Sequence, residues 1–394
     1  MQHEHPHKTL SGPTTTSHAR NRTARARAAA NLLAAALALT LAPIASYAKS
    51  IFDVDLATRR EGDQSQFSDI RTLCGTKPLR VALADGFGGN SWRKIVHAEF
   101  VEEAKKCPNI TEVRYTDAQG DVQKHIADIQ SLAAQHFDVI VLYPDGGEAL
   151  LHAMRRATAA GIAVVPFAVG ETFAGTPGRD YLSFVTEDLA DRGRLKARWI
   201  AQQLHGKGNV VVLGGTPGNP SDAAEAAGWK QEWSKNWPQI TVLEGPVVTN
   251  WDPAQVQKVT SGLIAKYPQI DAVFFQFGAG TLAVARAFEA AGRQLPLQVT
   301  DDANGVACLW KQRHEDFRFA TTSARTWLVR LALRKGVAAA EGIADPEPSI
   351  VKLPLFEDST STNAALQPRC VANLPPDAEL SSTLTPAQLA AALK

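Results

Sequence analysis

The sequence lacks an excess of charge of either sign. Its 394 residues include 41 Lys and Arg against 40 Asp and Glu, which gives a formal net charge of +1. Because a protein that binds nucleic acid needs basic residues to neutralise phosphates, this balance argues against a DNA or RNA partner. Charged residues make up 21% and hydrophobic residues 45% of the chain, as in ordinary globular proteins. The length predicts two or three domains.

The motifs of the common hydrolases, zinc proteases and nucleotide-binding proteins are missing as well. The chain has no GxSxG, HExxH or GxxxxGK[ST] motif, and no GxGxxG follows a predicted strand. The glycine-rich segment 214–220 lacks a lysine and its prolines remove backbone donors, so we expect an ordinary turn between a strand and a helix there. Distant residues can still assemble a catalytic site, which keeps an exported enzyme as an alternative.

A membrane-spanning run is also lacking. The apolar run at residues 28–44 is interrupted by Asn31 and Pro43 and is shorter than the roughly 20 residues that a spanning helix needs. Basic residues precede this run, and small residues stand one and three positions before a cut after Ala48. This layout is typical of a secretory signal peptide, so we predict that the mature protein is exported and not inserted in the membrane. A membrane anchor is the alternative.

Cysteine is scarce, and none of the four cysteines has the CxxC spacing of a structural zinc site. In an oxidising compartment four cysteines can form two disulfides with three possible connectivities. Cys74 and Cys107 flank one predicted strand and helix, whereas Cys308 and Cys370 lie in the other half of the chain. We therefore predict the pairs 74 with 107 and 308 with 370, with four buried thiols as the alternative. No metal site is predicted.

Short apolar runs alternate with amphipathic helical patterns from residue 79 onward, after a polar lead-in. The run 79–84 ends in a glycine-rich turn, and Asn90 or Ser91 can cap the helix that follows. The same unit recurs up to residue 167 and again over 209–300, with similar spacing. Continuous apolar strands between helices predict two α/β domains with parallel sheets, in which ligands bind at the carboxyl ends of the strands.

Aromatic side chains stand at four of these predicted strand ends. Trp92, Tyr143, Trp251 and Phe277 could stack on a planar or puckered ligand, although each could instead pack against the core of its own domain. The adjacent pair 301–302 is acidic, and because neighbouring strand residues point to opposite sides, we expect one of the two carboxylates to face the cleft. Further donors and acceptors at the same rim are Asn90, Arg93, Thr186 and Arg325.

The chain resembles the type I periplasmic substrate-binding proteins of the ribose-binding kind, the capture components of sugar ABC importers. The resemblance is carried by LRVALADGFGGNSWRK, DVIVLYPDGGEAL, GIAVVPFA, VTEDLADRG, DAVFFQFGAGTLAVARAFEAAG and LQVTDDANG. It implies an α/β fold of two Rossmann-like lobes joined by three crossovers, near Thr186, Ser323 and Pro354. The implied division is a signal peptide at 1–48, a lead-in at 49–78, lobe one at 79–186 with 324–353, and lobe two with the tail at 187–323 with 354–394.

The resemblance also implies roles for single residues. It places Trp92 and Trp251 on the two faces of a sugar, Thr186 at the first crossover, and Asp302 as the carboxylate that binds sugar hydroxyls. Where the family has a second acidic anchor, this chain has Ala168. The family's arginine falls near Ala223, and its asparagines fall near Tyr143 and Phe277. The more aromatic pocket favours a substituted sugar, a polyol or a small cyclic compound over an ordinary pentose.

The function that the resemblance implies is capture of a small ligand in the periplasm. The protein is expected to be a monomer without a cofactor that closes its lobes on the ligand and delivers it to the permease of an ABC importer. A sensory protein that presents its ligand to a chemoreceptor or a histidine kinase has the same fold and cleft, and is the main alternative. Nucleic acid is not an expected partner, because a signal peptide stands where a DNA-binding domain would be needed.

Overall fold

The computed structural model describes residues 50–394. The predicted signal peptide and its cleavage site after Ala48 lie outside the described residues. The predicted alternation of strands and helices is confirmed over most of the chain. In the described part, no helix is both long and apolar enough to span a bilayer.

The strands and helices are numbered here in chain order. The strands are β1 Glu61–Gly62, β2 Leu79–Asp85, β3 Ile110–Asp117, β4 Val139–Tyr143, β5 Ala163–Pro166, β6 Thr186–Glu187, β7 Lys207–Gly214, β8 Gln239–Val248, β9 Ala272–Phe274, β10 Leu297–Asp301, β11 Phe319–Thr322, β12 Ile350–Val351 and β13 Leu355–Asp358. The helices are α1 Ser91–Ala104, α2 Val122–Ala134, α3 Leu151–Ala159, α4 Leu189–Gln203, α5 Pro220–Asn236, α6 Pro253–Lys266, α7 Gly278–Ala290, α8 Asn304–Gln312, α9 Leu328–Glu341 and α10 Pro386–Ala392.

Side-chain caps set the start of most of the long helices. The Asn90 side chain accepts a hydrogen bond from the backbone of Arg93 at the start of α1, as the sequence predicts. Asp252 caps α6 in the same way, and a proline follows it at the first helical position, where its missing N–H costs nothing. Thr385 and Gln388 form a capping box at the start of the C-terminal helix, α10.

Two parallel sheets form the two lobes. The sheet of lobe one has the order β3-β2-β4-β5, and that of lobe two has the order β13-β11-β10-β9-β7-β8, with only β13 antiparallel to its neighbour. Buried apolar side chains line both faces of each sheet, because helices cover both sides. The predicted fold class, two α/β lobes with parallel sheets, is confirmed.

A third, small sheet lies where the chain passes between the lobes. It consists of β1, β12 and β6, which pair in parallel over two residues each. The chain leaves lobe one through β6, returns between β11 and α9, and crosses again between β12 and β13. We call β1, β12 and β6 the hinge sheet, since two of the three passages run through its strands.

Both ends of the described chain have more structure than their polar composition suggests. The segment 50–78 contributes Val54, Leu56, Ile70 and Leu73 to the core of lobe one, in addition to strand β1. The tail after β13 runs along α8 and ends in α10, which packs on α1 of lobe one. The disulfides are Cys74–Cys107 and Cys308–Cys370, so both predicted pairs are confirmed.

Candidate ligand-binding site

A small cavity lies between the lobes, at the carboxyl ends of their strands. It is lined by Asn90, Trp92, Arg93, Tyr143, Trp251, Gln276, Phe277, Asp301 and Arg325. Seven of the nine residues predicted for the site therefore come together in one place. Thr186 and Asp302 do not line the cavity, and Gln276 and Asp301 line it without having been predicted as ligand-binding residues.

The aromatic residues form much of the wall. Trp92 packs against the cores of both lobes, and its ring centroid lies 5.1 Å from that of Tyr143. Trp251 has a left-handed backbone, with φ of 51°, which costs an ordinary residue energy and is kept mainly at functional sites. Its indole ring lies directly on Gly215, where any side chain would collide with it. The glycine is needed because the ring approaches the backbone so closely.

Arg93 is a buried cation between two carboxylates. Its guanidinium donates to Asp85 at 2.6 Å and to Asp145 at 2.8 Å, and it lies 4.3 Å from the centroid of the Tyr143 ring. Burial raises the pKa of Asp145 to about 6 despite the opposing effect of Arg93. The Nε atom of Arg93 and one carboxylate oxygen of Asp145 have no hydrogen-bond partner among the described residues.

The two adjacent aspartates at the end of β10 face opposite ways, as expected for neighbouring strand residues. The Asp301 carboxylate lines the cavity and binds Arg192, Lys196 and Arg325. The Asp302 carboxylate points away from the cavity and accepts hydrogen bonds from the backbone of Ala324 at 2.7 Å and from the tail. The ligand-binding role predicted for Asp302 therefore does not fit its position, and Asp301 is the acidic residue of the cavity.

Thr186 also differs from its predicted role. Its hydroxyl accepts a hydrogen bond from the backbone N–H of Gly170 at 2.9 Å and donates one to the carbonyl oxygen of Glu187 at 3.0 Å. The hydroxyl is fully buried in the hinge sheet, and both of its hydrogen bonds are to backbone atoms. Thr186 thus stabilises a passage between the lobes and does not reach the cavity.

A cluster of six buried charges lies behind the cavity. It pairs three cations with three anions: Arg192, Lys196 and Arg325 with Glu187, Glu225 and Asp301. Burial lowers the pKa of Lys196 to about 7, and the neighbouring Arg192 acts in the same direction. The sequence does not reveal this cluster, because its members lie on α4, α5 and the ends of three strands, without a common motif.

Several hydrogen bonds join the lobes at the cavity. The Tyr143 hydroxyl of lobe one donates to the Asn219 side chain of lobe two at 3.3 Å, and the Asn219 amide donates to Asp145 at 3.2 Å. Arg325, in the passage between β11 and α9, donates to the Ser221 hydroxyl at 3.1 Å. The segment 214–220, expected as a plain turn, therefore supplies through Asn219 a contact that joins the lobes.

Gln276 completes the polar lining of the cavity. Its side-chain amide donates to the Asp222 carboxylate, and burial raises the pKa of Asp222 to about 6. The side-chain oxygen of Gln276 and the Nε of Arg325 lack a partner in the part of the chain that is described. Among the residues that line the cavity, the Nε atoms of Arg93 and Arg325 and the side-chain oxygen of Gln276 thus have no hydrogen-bond partner in the described part of the chain.

Comparison with known proteins gives consistent results. A model of the periplasmic binding protein domain matches residues 81–310. A xylitol-binding protein of Mycolicibacterium smegmatis is 29% identical over 204 residues, which are 50% of this chain and 56% of the relative. A putative rhizopine-binding protein of Rhizobium meliloti is 24% identical over 278 residues, 65% of this chain and 85% of the relative. The chain spans little more than half of the length of the xylitol-binding relative.

Solved structures show the same fold. An ABC transporter solute-binding protein from Thermobispora bispora has 26% identity and a TM-score of 0.63, over 76% of this chain and 92% of its own. The myo-inositol-binding protein of Caulobacter, at 21% identity, has a TM-score of 0.62 over 71% of this chain and 94% of its own. The two-lobed architecture and these matches together show that the chain belongs to the periplasmic binding protein domain family and has the type I periplasmic binding protein fold.

Proposed function

We propose that this protein is the solute-binding component of an ABC importer and that it captures a neutral, polyhydroxylated ring compound, a sugar or a cyclic polyol. The observation that carries the proposal is the pattern of the cavity wall. Aromatic faces alternate there with unpaired hydrogen-bond donors and acceptors, while every charged group faces an opposite charge. The ligand is bound and released without chemical change.

The paired charges favour a neutral ligand. Arg93 has two carboxylates as partners, and Asp301 and Arg325 belong to the cluster of six charges. A charged ligand would enter a buried cavity that offers no free counter-ion, and burying an unpaired charge is costly. A neutral ligand avoids this cost.

The unpaired polar atoms favour hydroxyl groups. A hydroxyl both donates and accepts, so it can bind the Nε–H groups of Arg93 and Arg325 and the side-chain oxygen of Gln276, which have no hydrogen-bond partner among the described residues. Trp92 and Trp251 can cover the C–H faces of a ring. Relatives named for xylitol, ribose and myo-inositol support this class of ligand.

Closure of the lobes is the proposed mechanism. Tyr143 and Asp145 of lobe one bond Asn219 of lobe two beside the cavity, so these contacts exist only when the cleft is closed. A ligand that touches both lobes binds the closed form more tightly and shifts the equilibrium toward it. The closed shape is then the form that a permease in the membrane recognises. Export to the periplasm is part of the proposal and is supported by the family and by the predicted signal peptide.

A thermal-shift screen of Lys49–Lys394 tests the ligand class. The probes are xylitol, ribose, myo-inositol and neutral hexoses, with glucuronate and amino acids as charged controls. A ligand at 100 times its Kd stabilises the folded form by about 2.7 kcal/mol, which raises Tm by several degrees. We expect such shifts for neutral polyols only and unchanged ligand after long incubation. Stabilisation by charged probes alone, or conversion of the ligand, would contradict the proposal.

A further inference from the structure

We propose that the C-terminal segment 370–394 is a clasp that links the two lobes beside the cleft and holds them closed, so that it sets how readily the cleft opens. The clasp adds a fourth link to the three covalent passages between the lobes. The inference rests on the proposed closure of the lobes, but not on the identity of the ligand.

The first part of the clasp is fixed to lobe two. The Cys308–Cys370 disulfide joins it to α8, and the Asn304 side chain donates to the carbonyl oxygen of Val371 at 2.9 Å. The first backbone N–H groups of α8 donate to the carbonyl oxygens of Ala378 and Pro376, both at 2.7 Å. These N–H groups have no side-chain cap, so the clasp supplies the acceptors that the start of a helix needs.

The last part of the clasp is fixed to lobe one. The Glu99 carboxylate on α1 accepts hydrogen bonds from the Ser382 hydroxyl at 2.6 Å, the Thr383 N–H at 2.8 Å and the Thr383 hydroxyl at 2.7 Å. A small buried core then forms, in which Leu384 and Leu389 of the clasp pack with Ile95 of α1. Hydrogen bonds to a charged acceptor contribute more than neutral ones, so this is a firm attachment.

The contacts of the clasp pass from lobe two to lobe one between two adjacent residues, Ser381 and Ser382. Ser381 donates to the Asp302 carboxylate of lobe two from its N–H at 2.8 Å and from its hydroxyl at 2.6 Å. The next residue, Ser382, is bonded to Glu99 of lobe one. Since adjacent Cα atoms are about 3.8 Å apart, the chain has no slack here. Any opening that separates Asp302 from Glu99 must break one of the two sets of bonds.

The same point is connected to the cavity. The Ser381 hydroxyl accepts a hydrogen bond from the backbone N–H of Ala324 at 3.0 Å, and the Ala324 carbonyl oxygen accepts one from the Trp92 indole at 2.7 Å. The clasp therefore favours the closed arrangement before a ligand enters. If it is weakened, the closed population falls, and apparent ligand affinity falls by the same factor.

The test uses ligand-free Lys49–Lys394, so that its result does not depend on any probe ligand. The main variant, Ser382→Ala with Thr383→Val, removes two hydroxyls that bind Glu99 and leaves the packing of α10 in place. A second variant, Ser381→Ala, removes one bond to Asp302. Ser361→Ala is the matched control. The Ser361 hydroxyl also lies in the tail, but it accepts a hydrogen bond only from the nearby backbone N–H of Asn363. The readouts are small-angle scattering and amide hydrogen exchange.

We expect slow exchange at the N–H groups of Ser381 and Thr383 in the wild type and in the control. In both clasp variants we expect exchange there at least roughly tenfold faster, as for the loss of about 1.4 kcal/mol, with a larger radius of gyration. Unprotected amides at these positions in the wild type would overturn the proposal. Variants whose scattering and exchange equal those of the wild type would also overturn it.

A global loss of fold is recognised because exchange would then also rise in β2 and β7, far from the clasp. A third variant, a chain that ends at Leu380, keeps the disulfide and removes the whole attachment to lobe one. If it retains protection in both sheets yet scatters like the wild type, the clasp does not hold the lobes. A failure of the sugar and polyol screen would leave all of these readouts unchanged, so the two proposals fail separately.

Discussion

The indole nitrogen of Trp92 donates a hydrogen bond of 2.7 Å to the carbonyl oxygen of Ala324. Trp92 belongs to the wall of the cavity, and Ala324 lies in the passage between β11 and α9. The N–H of Ala324 is in turn bound by Asp302 at 2.7 Å. The position of a ring in the cavity wall is thus coupled to the backbone of a passage between the lobes.

This relationship gives different expectations for two substitutions of Trp92. Trp92→Phe keeps a ring but loses the hydrogen bond, and the loss of about 1 kcal/mol should weaken binding of the best neutral polyol about fivefold. Trp92→Ala also loses the stacking surface and should weaken binding further. Titration calorimetry measures both. Trp237→Phe is the control, since its indole donates to Glu232 within lobe two. Equal affinity of all variants would contradict the assigned role.

Tyr143→Phe tests the contact between the lobes. It removes only the hydroxyl that donates to Asn219, so we expect ligand release about fivefold faster, measured by stopped-flow fluorescence. Tyr267→Phe is the matched control, because its hydroxyl bonds Leu243 and Glu244 inside lobe two. If the control accelerates release as much as Tyr143→Phe, the effect does not come from the contact between the lobes.

Asp301→Asn tests the buried charge cluster. The substitution leaves Arg192 and Lys196 without the carboxylate that they share with Arg325. Loss of one partner of a buried ion pair costs about 3–5 kcal/mol, so chemical denaturation should show a loss of this size. Asp316→Asn removes a carboxylate that pairs with Arg313 at the surface and should change stability by less than about 1 kcal/mol. A similar effect of both substitutions would argue against the cluster.

The raised pKa of Glu357 predicts how the stability of the protein depends on pH. Burial raises the pKa of its carboxyl from 4.5 to about 7, the N–H of Arg369 opposes this, and nearby Asp302 adds to it. A raised pKa means that the folded protein favours the protonated form. The contribution to stability is therefore complete below about pH 4.5 and is lost as the pH rises to about 7, on the order of 3 kcal/mol in total.

Glu357→Gln should flatten this dependence, because the amide stays neutral. Denaturation midpoints at pH 4.5 and pH 7.5 measure the difference between the wild type and the variant. We expect the variant to lose less stability than the wild type between the two values. Glu315→Gln, at an exposed position, is the control. Parallel pH profiles of wild type and Glu357→Gln would contradict the raised pKa.

Most of the fold follows from local patterns, and the exceptions have a physical cause. The sequence reveals β2 and β4 because both faces of these strands are buried, which makes each a continuous apolar run. It reveals α2 because only one side of this helix is buried, which gives an amphipathic pattern. The helix α9 was not predicted. Almost all of its side chains are buried, including Arg330 and Arg334, which pair with buried glutamates. Arg330 and Arg334 lie one turn apart, so the segment does have a polar stripe, but this stripe faces buried carboxylates and not solvent.

The site was predictable to the extent that it depends on strand ends. Trp92, Tyr143, Trp251 and Phe277 line the cavity because each follows or ends a strand in parallel sheets. The direction of the pair 301–302 was not predictable, because it depends on the tail, which comes later in the chain and binds Asp302. The paired charges of the wall were invisible for the same reason, since their partners meet only in the folded chain.

The pairing of β1 with β12 has a consequence for biogenesis. Glu61 lies opposite Ile350, so the first strand of the described chain cannot find its neighbour until nearly all of the remaining chain has been delivered. A contact between such distant positions closes a long loop, and folds that depend on such contacts form slowly. In the proposed export, which begins at the N-terminus, the hinge sheet would therefore be completed only when nearly all of the chain has crossed the membrane.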